Sequence, residues 1–389
     1  MKFKSTISTQ TQREDAVAEV CDGVAGVKAD LAMLFVSPHF EDDCEEILSG
    51  VLDRTNARTL IGCTGDGIIG PDREVEGAPA IALWVGEMPD VRAMPFLLDI
   101  DDLKQFEGDE DWIDRVGVKS ESNPGFVILP EPFSFAPGIE YALHEMDRIF
   151  PGRPILGGVA SAGEGPGQNR LFMNDQVLRQ GTVGVSLSGN IVIEPVVSQG
   201  CRPIGEPFIV TKSEENVIQE LRGRPAMEVL QSIFRSADAY DQSLMQAGGI
   251  HVGSAVSEAA RSSGKSEFLI RNLIKVVDNS GLAVTTMVKP GQTIQFHLRD
   301  SKSADAEMKQ LIRRRIAEMR TPPRGGLLFT CNGRGSHMFG VPNHDIGVIN
   351  EAAPDCQIAG FFAAGEIGPI ASRTFIHGFT SSLVLFREP

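Results

Sequence analysis

The chain has 389 residues, of which 42% are hydrophobic and 23% charged, and its formal net charge is −16. That length exceeds one ordinary core and points to two domains, and the composition is that of a globular protein. The acidic balance excludes a nucleic-acid-binding face and disfavours anionic membrane surfaces.

The six cysteines are scattered and form no C-x-x-C pair. That argues against a zinc knuckle, a thioredoxin-like site or a disulfide framework, and fits a reducing, cytoplasmic setting. The N-terminus, M-K-F-K-S-T-I-S-T-Q, has no apolar h-region. No run of about 18 apolar residues occurs, so no membrane span is expected.

Residues 11–29 read as a helix, with Val17, Val20 and Val24 at helical spacing and Glu14 and Asp15 in its first turn. Leu31 to Val36 is a continuous apolar run, the pattern of a buried strand. A helix follows through Asp42 to Leu52, then a strand and glycine turn, T-L-I-G-C-T-G-D-G-I-I-G-P (Thr59 to Pro71). Ala80 to Val85 and Arg92 to Leu98 are strands. Residues 99–125 are acidic and read as an irregular surface excursion. Phe126 to Leu129 is a short strand. The next helix carries Ile139, Ala142, Leu143, Met146 and Ile149 on one stripe and ends at Pro151-Gly152.

A second strand and glycine turn, I-L-G-G-V-A-S-A-G-E-G-P-G (Ile155 to Gly167), precedes three strands that read as an antiparallel meander over 171–197. Residues 199–224 read as a Pro/Gly-punctuated crossing between halves. Helices are expected over much of 225–262, broken at Gly248-Gly249. A three-strand meander is expected over 268–298, then a helix at 304–319 stopped by Thr321-Pro322-Pro323. The C-terminal stretch joins three strand-like runs to glycine turns: G-G-L-L-F-T-C-N-G-R-G (Gly325 to Gly335), A-G-F-F-A-A-G-E-I-G-P (Ala359 to Pro369) and F-I-H-G-F-T-S-S-L-V-L-F (Phe375 to Phe386).

Three of these segments align without gaps on a G-x4-G frame: Gly62 to Gly67, Gly158 to Gly163 and Gly360 to Gly365. The frame sets Glu164 against Glu366, with Ile68 in the first copy and Asp66 nearby. The expectation is a reused strand–turn–strand unit.

Taken together, L-I-G-C-T-G-D-G, I-L-G-G-V-A-S-A-G-E, S-Q-G-C-R-P-I-G-E-P-F-I-V-T-K (Ser198 to Lys212) and the stretch from Gly325 onward resemble the FIST domain family, in both its N-terminal and C-terminal parts. The resemblance runs from about residue 30 to the end. It implies an intracellular sensory module for signal transduction, binding small ligands such as amino acids, with a signalling protein in trans to receive the output. Some bacterial members are described as haem-based nitric-oxide sensors, so the resemblance also implies haem as an alternative cofactor.

The candidate ligand contacts sit at the glycine turns. Arg334 in a glycine turn can grip a carboxylate in bidentate fashion, or be a solvated surface residue. Glu366, in an apolar segment, is a turn carboxylate in water or a paired group in a cleft. His377 precedes Gly378; a lone histidine is more often a hydrogen-bonded core residue than a base. Cys331 reads first as a small strand-end residue, and second as a thiol made reactive by the nearby arginine. Asn332 suits a left-handed turn, and Thr380 offers a hydroxyl. Asp66 and Glu164 complete the set.

His337, His344 and His377 match no zinc spacing, so no metal is expected. The same histidines leave non-covalent haem open, although no C-x-x-C-H attachment occurs. Neither a G-x-S-x-G elbow nor a Walker lysine is present. A nucleophile, base and orienter drawn from Cys331, His377 and Glu366 is the remaining enzyme reading, held below the sensor.

The sequence thus predicts an α+β protein of two parts, 1–223 and 224–389, with mixed and antiparallel sheets layered with helices. It predicts a ligand-binding sensor, with a haem gas sensor and a cysteine-dependent enzyme as alternatives.

Overall fold

The computed structural model describes residues 1–256 and 268–389. The chain falls into two compact units. The first comprises Met1–Ser198, Lys309–Ile376 and Thr380–Pro389; the second comprises Gln199–Met308 and His377–Phe379.

In the first unit one pattern is built three times. The first copy is β1 (Lys2–Ser8), α1 (Arg13–Val24), β2 (Leu31–Val36), α2 (Cys44–Thr55), β3 (Leu60–Thr64), a hairpin of β4 (Gly67–Ile69) and β5 (Glu74–Glu76), and β6 (Ile81–Glu87). The second is β7 (Val91–Leu98), α3 (Ile100–Gln105) and α4 (Asp109–Val116), β8 (Gly125–Pro130), α5 (Pro132–Ile149), β9 (Ile155–Gly158), the hairpin β10 (Leu171–Met173) and β11 (Gln176–Leu178), and β12 (Thr182–Gly189).

The third copy opens with β13 (Val192–Ser198). The chain then leaves for the second unit: β14 (Cys201–Glu214), β15 (Val217–Leu221), β16 (Arg224–Pro225), α6 (Ala226–Ser236), α7 (Ala239–Gln246), β17 (Ile250–Ala255), β18 (Phe268–Val277), β19 (Gly281–Val284) and β20 (Thr293–Arg299). It returns along α8 (Ser301–Glu318). The copy is completed by β21 (Gly325–Cys331), α9 (Gly335–Phe339), α10 (His344–Ala352), β22 (Gln357–Ala363), the hairpin β23 (Glu366–Ile370) and β24 (Arg373–His377), and β25 (Ser381–Arg387).

Each copy heads a six-stranded sheet: β1-β6-β2-β3-β10-β11, β7-β12-β8-β9-β23-β24 and β13-β25-β21-β22-β4-β5. The parallel pairs β2–β3, β8–β9 and β21–β22 lie at the centre of each. The last two strands of every sheet are supplied by another copy. The first copy's hairpin joins the third sheet, the second's joins the first, and the third's joins the second.

The inner faces of the three sheets share one core. Met33 and Phe35, Val127 and Leu129, and Leu327 and Phe329 hold matching positions in it. Phe35, Phe329 and Phe361 meet there with ring centroids 5.3–6.4 Å apart. Outer faces are covered by helices: α1 and α2 on the first sheet, α3, α4 and α5 on the second.

The parallel pairs explain the glycine turns. Gly62, Gly157 and Gly360 stand opposite Leu34, Ile128 and Leu328. A Cβ on them would lie 1.9, 1.8 and 1.8 Å from the facing carbonyl oxygen, so only glycine fits. The repeated strand–turn–strand unit is therefore real, but its frame shifts by one in the middle copy, where Gly157 rather than Gly158 holds the equivalent place. The following strand is also displaced there. The residues facing the position after the glycine are Ile68, Glu366 and Leu171. Ile68 thus matches Glu366 as the sequence frame predicts. Leu171, not Glu164, is the match in the second copy, and Glu164 lies in an added exposed loop.

Several element readings are corrected. Residues 99–125 hold α3 and α4, with Trp112 and Val116 buried, because Asp99 caps α3 by accepting from the amide of Asp102 at 2.8 Å. Strands within 171–197 form no meander: β12 pairs with β7 and β8, and β13 with β25. Residues 199–224 are no linker but the long bulged strand β14 and its hairpin partner β15. The expected helices survive as α6 and α7, while Ile250–Ala255 is strand; residues 257–262 of that expectation lie outside the described residues. Of the 268–298 meander, β18 and β19 pair, but β20 lies between β14 and β17.

In the second unit the strands close a ring, β14-β20-β17-β18-β19-β15, with β15 back on β14. Gly223 itself lies between β15 and β16 of this unit. Ile250, Val252, Ile294, Phe296 and Leu298 fill its interior beneath α6. Strand alternation sends His251 and His297, which are cross-strand partners, to the opposite face.

Both histidines are buried. His251 stacks on Phe379 at 4.1 Å and His297 on Phe268 at 5.5 Å. Burial pushes both imidazoles down from 6.5 to about 4, with the Arg299 charge adding to the effect on His251. In the unfolded chain the same rings take up protons first. Stability from these rings is present above 6.5 and is lost as pH falls towards 4, by up to about 1.4 kcal/mol per pH unit for each ring. NMR titration of the histidine Cε1–H signals should show two rings still neutral at pH 5. A midpoint near 6.5 for either would contradict this placement.

Candidate functional site

The polar residues of the first unit gather where its central strands end. The turn after β3, the segment after β9 and the turn after β22 are hydrogen-bonded together. Ser161 is the junction: its Oγ accepts from the Asp66 amide at 2.9 Å and donates to the Phe362 carbonyl, and its amide donates to the Thr64 carbonyl at 3.2 Å. The Ala364 amide donates to the Val159 carbonyl at 3.1 Å, and the Val159 amide to the Gly365 carbonyl at 2.8 Å. Turns some three hundred residues apart in sequence thus share one end of the core.

Beside them the T-C-N-G-R-G turn closes β21. The Cys331 amide donates to the Thr380 carbonyl and the Asn332 amide to the Ala363 carbonyl, both at 3.0 Å. Thr380 returns the link, its amide donating to Glu366 Oε2 at 3.0 Å. Glu366 and Thr380 are buried, Cys331 is half-buried, and Asn332 is exposed.

Arg334 is fully buried. Its Nε and Nη2 donate to Asp345 Oδ2 and Oδ1 at 2.7 and 2.8 Å, a bidentate pair. Its guanidinium also lies over the Phe339 ring at 5.1 Å. The fork expected to hold a ligand carboxylate is therefore engaged by the protein's own Asp345. That carboxylate also accepts from Thr330 Oγ1 at 2.6 Å and pairs with His344 Nδ1 at 2.8 Å. The His344 ring stacks flat on Phe339 at 3.4 Å. Burial alone would raise the Asp345 pKa, but the guanidinium and these donors hold it far below the usual carboxylate range. Burial likewise opposes the Arg334 charge, and Asp345 outweighs it.

The exchanged hairpin brings two more carboxylates. The Glu74 amide donates to Asn343 Oδ1 at 2.8 Å, and the Ile346 amide donates to Glu74 Oε1 at 2.8 Å, so β5 and α10 clasp reciprocally. Burial, then the nearby Asp345 charge, pushes Glu74 up to about 7. Glu76 accepts from the Ser336 amide at 3.0 Å. Gly335 sits at φ +62, a conformation that favours glycine, and a Cβ there would also press on the end of the Glu76 side chain at 2.7 Å.

Asp66 is exposed at the same end. Partial burial, then the charges of Glu76 and Glu164, raise its pKa. Glu164 is exposed in the added loop, where its amide donates to Gln168 Oε1 at 2.8 Å. His377 is buried at the end of β24 and groups with the second unit. Of the sequence candidates, then, Cys331, Asn332, Arg334, Glu366, Thr380 and Asp66 lie around the joined turns of the first unit. Sequence reading missed Asp345, Glu74, Glu76 and Ser161. The alternating E-V-E of β5 and the N-H-D at the start of α10 are local traces of the three carboxylates, and Ser161 lies within I-L-G-G-V-A-S-A-G-E, but none of these names its partner.

The family follows from two further matches. Residues 30–224 match the FIST N domain and residues 226–369 the FIST C domain. The chain belongs to the FIST family. FIST domains are generally taken as sensory, ligand-binding modules of signal transduction. Similar relatives of this FIST chain include an uncharacterized protein of Mycobacterium tuberculosis, 38% identical over 96% of this chain and 95% of its own. Another, from Mycobacterium bovis, is 36% identical over 96% and 94%. Among solved structures a cyanuric acid hydrolase from A. caulinodans aligns over 100% of this FIST chain and 99% of its own, with 8% identity and a TM-score of 0.32, a likeness too distant to bear on activity. Among the described residues no helix is long and apolar enough to cross a membrane, and no group of three or more His, Cys, Asp or Glu side chains could hold a metal.

Proposed function

We propose that this FIST protein is a sensory module that binds a small polar metabolite carrying both an amine and a carboxylate, an amino acid or a close analogue, at the joined turns of its first unit. The observation that carries the reading is the junction at Ser161, which ties the ends of β3, β9 and β22 into one polar surface. Exposed backbone turns accept a ligand closely, and acidic and amide side chains are at hand. Asp66 faces an amine from a solvent-exposed position, with the Glu164 charge near enough to act on it, while the Asn332 amide side chain serves a carboxylate. Arg334 and Glu366 act behind this surface. The Glu366–Thr380–Cys331 chain of hydrogen bonds fixes the turn that presents Asn332. Binding that favours one arrangement of the turns would pass to a signalling protein in trans.

Thermal-shift measurements with the standard amino acids and their amine-only and carboxylate-only analogues test this. A ligand that binds the native state alone raises the midpoint. At least one zwitterion should do so, and Asn332→Ala or Asp66→Ala should weaken it about tenfold, roughly 1.4 kcal/mol, with the unliganded midpoint unchanged. No shift with any of them, or a Soret band in the purified protein, would refute the reading.

A further inference from the structure

The three copies of the first unit differ at their opening strands. In the first copy α1 packs on β1, and Lys2 and Lys4 of that strand reach the Gly26 and Ala25 carbonyls at 2.9 and 2.7 Å. In the second, α4 packs on β7, with Arg115 donating to the Leu97 carbonyl at 2.8 Å. In the third the helix in that place is α8, which arrives from the inserted barrel and stands off from β13. A cavity of about 350 Å³ lies between them, lined by Pro195 to Val197, Leu311, Arg314 and Arg315.

That cavity continues. Pro195, Pro369 and Ala371 also line a second one of about 200 Å³, and Arg153, Pro154 and Ile193 join the second to a third of about 410 Å³. The three form a trough along β13, the outer strand of its sheet, which among the described residues pairs with β25 alone. Its seven residues span about 23 Å.

The trough has an apolar floor and a basic lining. Arg153 stands at the seam between two cavities, half-buried, with a buried Nε that has no hydrogen-bond partner. Arg314 and Arg315 line the far end; Arg314 donates to Glu318 at 2.8 Å, and Arg315 lies 3.5 Å from Glu194. Three arginines and one glutamate in the lining contrast with a chain of net charge −16.

We propose that this trough docks an extended acidic segment of a partner protein. Its length suits a strand of that size, and its charge complements acidic side chains. Pro195 removes one backbone donor from β13, so a visiting segment is held mainly through side chains, acidic ones on Arg153, Arg314 and Arg315 and apolar ones on Pro154, Pro369 and Leu311. The inference uses no residue of the ligand surface above and stands or falls apart from it.

The test is fluorescence anisotropy on the full chain with a labelled heptapeptide alternating Glu and Val, its Lys/Val counterpart and glutarate. The acidic peptide should bind at least tenfold tighter than the basic one and weaken with salt. Arg153→Glu should weaken it about tenfold. Arg314→Glu, at a side chain 67% exposed and so with only a small cost to folding from the lost Glu318 pair, should weaken it several-fold. Equal binding of both peptides, or binding unchanged in both variants, would overturn the proposal. So would displacement by glutarate at peptide-like concentrations, which would mean a small-anion site, or an Arg153→Glu change from dimer to monomer in light scattering, which would mean a second copy occupies the trough.

Discussion

Asp345→Ala is expected to destabilise the first unit by about 3–5 kcal/mol, because it strands a buried guanidinium. Arg334 would keep its charge with no exposure to water and lose two hydrogen bonds of 2.7 and 2.8 Å. Thr330 Oγ1 and His344 would lose an acceptor at the same time. A paired apolar replacement, Arg334→Met with Asp345→Leu, should be markedly less harmful than either single change, since breaking a buried pair is worse than removing it whole. Both tryptophans, Trp84 and Trp112, lie in the first unit, so their fluorescence in urea reports the right part of the chain. A midpoint for Asp345→Ala within experimental error of the parent would show that this pair is not buried as described.

Gly360→Ala should be as damaging, about 3–5 kcal/mol or outright failure to fold, through a single methyl. The new Cβ would lie 1.8 Å from the Leu328 carbonyl oxygen. That oxygen belongs to the adjacent parallel strand, so no side chain can rotate to make room. β21 and β22 would have to part at the heart of the sheet. Gly347→Ala is the contrasting change. It adds a methyl on α10 with nothing within 4 Å, and should stabilise by about 0.5–1 kcal/mol. If Gly360→Ala behaved like Gly347→Ala, the Leu328–Gly360 register would be wrong.

These residues also show where sequence was informative. β2, α2 and α5 were readable because each carries an uninterrupted run or a full helical stripe of apolar residues. The α3 and α4 helices were not, since six and eight residues, two and four of them acidic, hold too few apolar positions to set a period. β14 hid for a different reason. Pro203, Gly205 and Pro207 mimic a linker, whereas here they accompany a register shift between Ile204 and Phe208 that bends one strand around a barrel. At the site, glycine spacing located the turns correctly. Pairing was invisible: nothing in the chain says that Arg334 meets Asp345, or that Glu74, some 270 residues earlier, caps the same helix. The Glu74 contact depends on the exchange of hairpins, and the three-residue strands β4 and β5 that carry it are too short to show a pattern.

The exchange has a practical corollary for anyone dissecting the molecule. A fragment cut to contain one third of the first unit would lack the two outermost strands of its own sheet and would carry a two-stranded flap with nowhere to lie. Divided proteins meant as reporters should therefore be broken inside the excursion between β13 and α8, where the polypeptide departs and comes back, and not at the joints between the look-alike thirds.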